Sequence, residues 1–326
     1  MQDFFFRAAI LIVLLVIFYA ACATVQLTTV RPKTRYVVIG SFGTLAVLIG
    51  LLGLLILSAP QVLSSDPAVA QQNARLCLII AAVTILPLVK SVRLLLQKFT
   101  PLDANSTVDI SGVIAALWLL VLNGFTLVTI DLNTIKDQVQ ITVAQSLMDV
   151  IALPALAFCL VGVWVVRSPR ESIKRLGLEK LDGRQVGIAL GLLLPLLVLA
   201  VGIDGLGRQL QPERYAELEN ILKAMSSNVT NPIVALIIGF CAGIGEEILF
   251  RGAIQPRLGI GFTALLFAAS HTQYGFTFAT VAVLLIGIIL GYQRKYMNTT
   301  ACIITHGAYN TVVFLLSYFA GIGNGS

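Results

Sequence analysis

Six polar side chains in apolar stretches of the last third of the sequence are of the types that carry out hydrolysis. They are Glu246, Glu247, Arg251, His271, His306 and Asn310. An ionised side chain at the centre of a bilayer costs about 2.5–3.5 kcal/mol on insertion scales, so each polar group there needs a compensating role. The two histidines are the only ones in the chain. Their occurrence in separate apolar stretches favours one shared site.

Helical spacing separates the roles of the two adjacent glutamates. Glu247 and Arg251 are four residues apart, so they share a helix face and can form an ion pair. Glu246 lies about 100° away around the helix, one turn after Ala242 and Gly243. We therefore predict that Glu247 and Arg251 neutralise each other, and that Glu246 is the carboxylate free to act.

A carboxylate, two imidazoles and a carboxamide in a wet intramembrane cavity favour hydrolysis by an activated water. Glu246 would be the general base, and His271 would hold the water and move its proton. His306 and Asn310 project from one helix face and would donate hydrogen bonds to the oxyanion of the tetrahedral intermediate. No Gly-x-Ser-x-Gly motif is present, and no covalent nucleophile is evident.

A divalent metal such as zinc is the alternative to a metal-free site. Glu246, His271 and His306 could then form a ligand set with an open fourth position. The chain has no His-Glu-x-x-His motif, and the three ligands would come from separate helices. We assume no metal and no other cofactor, and keep zinc as the alternative.

The composition indicates an integral membrane protein. Hydrophobic residues make up 57% of the 326 residues and charged residues 12%, about half the charged share of a soluble domain. These figures exclude a soluble enzyme and a disordered chain. They also argue against a nucleic-acid partner, although the net charge is +6. The five cysteines form no CxxC pair, so neither disulfides nor a thiolate metal site is indicated.

Ten apolar segments predict an all-α polytopic membrane protein. They are Ala8–Val25, Tyr36–Leu57, Leu76–Leu96, Ile110–Ile130, Val143–Val166, Val186–Ile203, Pro232–Phe250, Leu258–Thr272, Thr277–Tyr292 and Thr300–Phe319. Eight or nine helices are the alternative, because the eighth and ninth segments are short. In the third segment Lys90 and Arg93 must snorkel. The first segment resembles a signal peptide, but its long apolar run favours a retained helix.

The basic residues predict the orientation and one boundary. Sixteen of the 22 Lys and Arg residues lie in odd-numbered loops, so the positive-inside rule puts these loops in the cytoplasm and both termini outside. The most basic loop, Arg167–Gln185, separates an N-terminal region of about five helices (1–177), without an indicated role, from a C-terminal domain (178–326). We expect a multi-pass protein of a prokaryotic plasma membrane, with its site open to the cytoplasm. His271, roughly 20 Å into its segment, would lie deeper than Glu246.

The ordered motifs resemble those of the CAAX protease and bacteriocin-processing (CPBP, or abortive-infection) family of intramembrane proteases. The family motifs Glu-Glu-x-x-x-Arg, Phe-x-x-x-His and His-x-x-x-Asn/Asp correspond to Glu246–Arg251, Phe267–His271 and His306–Asn310. The resemblance covers about Leu178–Phe319 and implies a C-terminal helical bundle. It implies catalysis by the Glu246, His271, His306 and Asn310 positions. We expect Glu247, Arg251 and Phe267 to orient them.

The resemblance implies an endopeptidase that acts on a membrane-associated peptide or protein. Eukaryotic members of the family trim the last three residues of prenylated CAAX proteins, and older descriptions of the family favour a metal. Bacterial members are linked to peptide processing, bacteriocin self-immunity and scaffolding. A non-catalytic scaffold or immunity protein that retains the motifs is therefore the alternative. A proton-coupled transporter is less favoured, because the sequence shows no broken-helix symmetry.

Overall fold

The computed structural model describes residues 34–59, 67–135, 139–165 and 167–321. These residues form helices and no strand, with one isolated bridge between Val163 and Arg167. Eight helical stretches among them are long and apolar enough to cross a membrane. The prediction of an all-α polytopic membrane protein is therefore confirmed. The first predicted segment, Ala8–Val25, lies outside the described residues.

The chain divides into two compact units. Unit 1 comprises Met1–Phe125 and Gly162–Ser168, and unit 2 comprises Thr126–Val161 and Pro169–Ser326. In chain order the described helices begin with α1 (Thr34–Ser58), α2 (Pro67–Ile85), α3 (Lys90–Phe99) and α4 (Thr107–Thr129). The helices that follow are α5 (Leu132–Ile135), α6 (Val143–Leu160), α7 (Pro169–Leu176), α8 (Gly183–Gly191), α9 (Leu193–Leu210), α10 (Pro212–Ser226), α11 (Pro232–Glu247), α12 (Gln255–Ser270), α13 (Phe278–Tyr296) and α14 (Thr299–Phe319).

The third predicted segment, Leu76–Leu96, is wrong in its bounds. The apolar stretch is Pro67–Leu88, and α3 is a separate short helix. Arg93 does not snorkel, because it is buried within unit 1. Its guanidinium donates hydrogen bonds of 2.7–2.8 Å to the main-chain oxygens of Pro87, Leu88 and Ala104. Carbonyls at a helix end lack intrahelical donors, so Arg93 satisfies them where the chain turns.

Unit 2 begins earlier than the predicted C-terminal domain. Its α6 precedes the basic loop and packs against α11. The contact is close at Gly245, where a Cβ would lie 3.1 Å from a side-chain carbon of Leu153 and 3.3 Å from the main-chain oxygen of Asp149. The helix that carries the two glutamates therefore packs against a segment that the sequence assigned to the N-terminal region.

Asparagines start both helices that carry the outer motifs. Asn231 precedes α11, and its side-chain oxygen accepts from the amides of Ile233 and Val234 at 3.0 and 3.1 Å. Asn298 precedes α14, and its side-chain oxygen accepts from the amide of Ala301 at 2.9 Å. Such caps satisfy amides that have no partner in the first helical turn. They fix the residues at which the two helices begin.

Small residues let α11 and α14 approach each other closely. A Cβ on Gly243 would lie 2.6 Å from the amide nitrogen of Gly307 and 2.8 Å from its Cα. At Gly239 the neighbour is Thr311, which is equally close. Without water inside a bilayer, helices associate mainly through such packing. The close approach brings the first motif next to the last.

The seventh and eighth predicted segments are parts of one helical stretch that reverses at Gly259. A π-helical segment, Ile248–Ile254, continues α11, and α12 follows directly. Gly259 has φ 78° and ψ 173°, a conformation that is essentially restricted to glycine. Pro256 has no amide to donate to the carbonyl four residues earlier, and Arg175 Nη1 donates to that oxygen, on Gly252, at 3.0 Å.

This reversal corrects the expected depths of the site residues. Although α11 ends at Glu247, the helical path continues through the π-helical segment, so that Gly259 follows Glu246 by thirteen residues. His271 follows Gly259 by twelve residues. Because the stretches before and after Gly259 are nearly equal in length, Glu246 and His271 lie side by side in the hairpin. The ring contact between Phe250 and Phe267, with centroids 5.1 Å apart, lies on the same hairpin.

Replacing Gly243 by alanine tests the close approach of α11 and α14. We expect a loss of about 1–3 kcal/mol in stability, since the added methyl group must displace the Gly307 main chain. Thermal unfolding of the purified protein in detergent measures the loss. The control is Gly202→Ala in α9, where a Cβ has open space and alanine favours the helix by about 0.5–1 kcal/mol. Equal unfolding midpoints for both variants would contradict the packing argument.

Candidate active site

A buried charge cluster joins the first motif to the last. Arg251 Nε lies 3.1 Å from Glu247 Oε2, and both side chains are 0% exposed. His306 Nδ1 lies 2.9 Å from Glu247 Oε1. Because an ionised carboxylate only accepts hydrogen bonds, the histidine Nδ1 is the donor. Glu247 therefore compensates the buried guanidinium and at the same time orients the imidazole of α14.

Glu246 differs from Glu247 in its accessibility. Its side chain is 24% exposed, and the facing His271 side chain is 16% exposed. Glu246 Oε2 lies 3.9 Å from His271 Nε2, which is too far for a direct hydrogen bond. That oxygen is buried and has no hydrogen-bond partner among the described residues. Glu247 thus has partners that stabilise the fold, whereas Glu246 keeps an acceptor atom without a hydrogen bond.

The proton positions on His271 follow from its other contact. His271 Nδ1 lies 2.8 Å from the main-chain oxygen of Phe267. A carbonyl oxygen cannot donate, so Nδ1 carries the proton and donates. In the neutral ring, Nε2 therefore keeps its lone pair, and this is the atom nearest Glu246. The site holds two acceptors, 3.9 Å apart, that face each other.

Phe267 packs against all three motifs. Its ring centroid lies 4.7 Å from that of His271 and 5.8 Å from that of His306. The guanidinium carbon of Arg251 lies 4.9 Å from the same ring centroid, within the range of a cation–π contact. Phe267 is 1% exposed. One aromatic ring therefore contacts the buried cation and both imidazoles and limits their movement.

Asn310 lies in α14, one helical turn after His306, and is half-buried. Within the part of the chain that the structure describes, its side chain makes no hydrogen bond. The helix places it on the same side as His306. Its carboxamide therefore remains available as a donor beside the imidazole.

The structure adds three features that sequence reasoning missed. The first is the bond between Glu247 and His306. The second is Tyr274, whose ring stacks on His271 with centroids 5.9 Å apart; desolvation raises its pKa, so the phenol stays protonated. The third is Asp149 of α6, whose carboxyl group interacts electrostatically with Glu246. No local pattern in the sequence relates these pairs, because their members come from different helices.

No group of three or more His, Cys, Asp or Glu side chains in residues 34–59, 67–135, 139–165 and 167–321 is placed to hold a metal ion. His306 directs Nδ1 at Glu247 and His271 directs Nδ1 at Phe267. In each ring Nε2 is therefore the nitrogen that remains to bind a water, a substrate or a ligand.

The fold and the site define an all-helical membrane protein with Glu and His side chains grouped inside unit 2. Residues 228–312 match the family described as Rce1-like, type II CAAX prenyl endopeptidase. The match covers 85 of the 326 residues and includes the three motifs. The match agrees with the family resemblance of the motifs and supports a membrane endopeptidase in general. No curated protein and no solved structure matches the chain.

The same substitution at the two adjacent glutamates distinguishes their roles. Glu247→Gln leaves the Arg251 charge buried without compensation, so we expect a loss of about 3–5 kcal/mol in stability. Glu246→Gln removes no hydrogen bond, and the contact of Glu246 with His271 is long, at 3.9 Å, so we expect a change below about 1 kcal/mol. The thermal unfolding midpoints of the two purified variants measure the difference. Comparable losses would show that Glu246 is also structural.

Proposed function

We propose that the chain is an intramembrane endopeptidase that hydrolyses a membrane-associated peptide or protein with a Glu246-activated water. The observation that carries this proposal is the buried Oε2 of Glu246, which has no hydrogen-bond partner among the described residues and lies 3.9 Å from His271 Nε2. The Rce1-like match over residues 228–312 supports peptide-bond hydrolysis as the reaction. The mechanism below follows from the charges and contacts of the site.

The gap between the two acceptors suits one water molecule. A water at about 2.8 Å from each atom would donate one proton to Glu246 Oε2 and one to His271 Nε2. Its lone pairs then point away from both groups and toward a substrate carbonyl. Glu246 takes the proton as the water attacks, and returns it to the leaving amine. His271 holds the water in line during this transfer.

His306 would provide a positive charge that stabilises the oxyanion. Its Nδ1 already donates to Glu247, so its Nε2 can also donate only when the ring is an imidazolium. The carboxylate of Glu247, 2.9 Å from Nδ1, can compensate that positive charge. An imidazolium and the Asn310 carboxamide then stabilise the negative oxygen of the tetrahedral intermediate. The structural cluster and the catalytic set therefore share His306.

We propose that the site is reached from the cytoplasm. The distribution of Lys and Arg between odd-numbered and even-numbered loops supports this orientation. The family description names prenyl endopeptidases that act on CAAX sequences. A substrate with a lipid-modified cysteine followed by three C-terminal residues is therefore the first class to test.

Glu246→Gln should abolish cleavage while the protein still folds and inserts. We expect the rate to fall about 10²–10⁴-fold, because the general base is lost. Cleavage of a prenylated CAAX peptide in proteoliposomes measures the rate, and membrane proteomes of wild-type and Glu246→Gln cells identify the natural substrate. The control is Glu213→Gln, the same change at an exposed position of α10.

Full activity of Glu246→Gln would rule out this mechanism. His271→Ala and His306→Ala should also lose cleavage, with unfolding midpoints reported for each variant. If Glu246→Gln restores the phenotype of a deletion strain as well as the wild type does, the protein acts without catalysis, as a scaffold or immunity protein.

A chelator tests the assumption that no metal is needed. We expect cleavage to persist in 1,10-phenanthroline or EDTA, because the activated water is bound by Glu246 and His271 alone. The measurement is the same peptide cleavage after dialysis against the chelator. Loss of activity that added zinc restores would instead support a ligand set formed when substrate binds.

A further inference from the structure

A basic groove lies in unit 2, apart from the pair Glu246 and His271. It is lined by Glu171, Lys174, Arg175, Pro256 and Arg294 and has a volume of about 470 Å³. This volume lies in the range of pockets that hold small ligands. Three cationic side chains face one carboxylate in its lining, so the groove favours an anion.

Two of the cations are held in place by contacts with the main chain. The Arg294 guanidinium packs so closely on Gly177 that a Cβ there would collide with it. Arg294 Nε is buried and has no hydrogen-bond partner among the residues that the structure describes. Arg175 Nη1 donates to the main-chain oxygen of Gly252 at 3.0 Å. The groove is therefore preorganised for a ligand that accepts hydrogen bonds.

The third cation, Lys174, is available to a ligand. Its side chain is exposed, and it makes no hydrogen bond or ion pair with any described residue. It lies in the last turn of α7, a short helix with charged residues along one side. An ammonium at this position can add to the charge of the groove without losing an existing partner.

The groove lies at the ends of apolar spans, where lipid headgroups are found. Arg294 is in the last turn of α13. Tyr292 and Tyr296 of the same helix end are 49% and 75% exposed, and their rings stack with centroids 6.4 Å apart. Exposed tyrosines at the end of a membrane helix are typical of the membrane–water interface. The groove therefore lies at the depth in the membrane at which the phosphate groups of the lipids are found.

We propose that this groove binds the phosphate of an anionic phospholipid headgroup. Arg and Lys side chains donate charge-assisted hydrogen bonds to phosphate oxygens, and basic pockets between membrane helices bind anionic headgroups. Free inorganic phosphate has the same chemistry, but the position at the span ends favours the lipid. The proposal is independent of peptide cleavage, because it uses neither Glu246 nor either histidine.

Native mass spectrometry of the full-length protein in detergent tests the proposal. The probes are phosphatidylglycerol and phosphatidylcholine with the same acyl chains, and the affinity of the first bound lipid is measured for each. We expect the wild type to prefer phosphatidylglycerol, and Lys174→Gln to weaken its binding about fivefold. Arg294→Gln should weaken it as well, and its unfolding midpoint shows whether it folds. Lys174→Gln keeps the test decisive, because this exposed side chain has no contacts to lose.

The matched control is Lys180→Gln, the same change at an exposed residue outside the groove. It should leave phosphatidylglycerol binding unchanged. Equal losses of phosphatidylglycerol affinity for Lys180→Gln and Lys174→Gln would overturn the proposal, because the lipid would then be attracted by the overall positive charge and not by the groove. Equal affinity for phosphatidylcholine would also overturn it. Displacement of phosphatidylglycerol by millimolar inorganic phosphate would assign the groove to a free anion instead, whereas retention of the lipid supports the headgroup.

Discussion

Arg251 carries its charge at a position that solvent does not reach, and the site is arranged around the carboxylate that compensates it. Glu247 is equally buried and pairs with Arg251 at 3.1 Å. A buried guanidinium without such a partner costs several kcal/mol. The same carboxylate accepts from His306 at 2.9 Å, so the requirement to neutralise one charge also sets the position of an imidazole on another helix. Phe267 covers this cluster and contacts both histidines.

The two adjacent glutamates have different surroundings. Consecutive residues of a helix point in directions about 100° apart, so one carboxylate reaches the buried arginine while the other faces the accessible side of the site. The exposures of their side chains, 0% and 24%, reflect this division. In the mechanism that we propose, Glu246 can therefore change its protonation state without leaving the buried charge of Arg251 uncompensated.

Backbone features at glycines and a proline bring these side chains together. Gly243 allows α11 to touch α14, and Gly259 allows the chain to reverse so that His271 returns to the level of Glu246. The π-helical segment between these two glycines contains Arg251, and such segments are frequent at functional sites. Arg175, which satisfies the carbonyl of Gly252, also lines the basic groove. The turn of the hairpin that forms the site therefore lies beside the groove.

Local features of this protein could be predicted from residue order, because they depend on helical periodicity and on hydropathy. The four-residue spacing of Glu247 and Arg251 predicted their pairing, and the apolar segments predicted an all-α membrane protein. Other features depend on contacts between residues that are far apart in the chain. The bond from His306 to Glu247, the packing of α6 against α11 and the equal depth of Glu246 and His271 arise in this way. Apolar periodicity does not specify which helix packs against which, and it does not show where a helix reverses. The positions of close contact and the φ angle of Gly259 decide both.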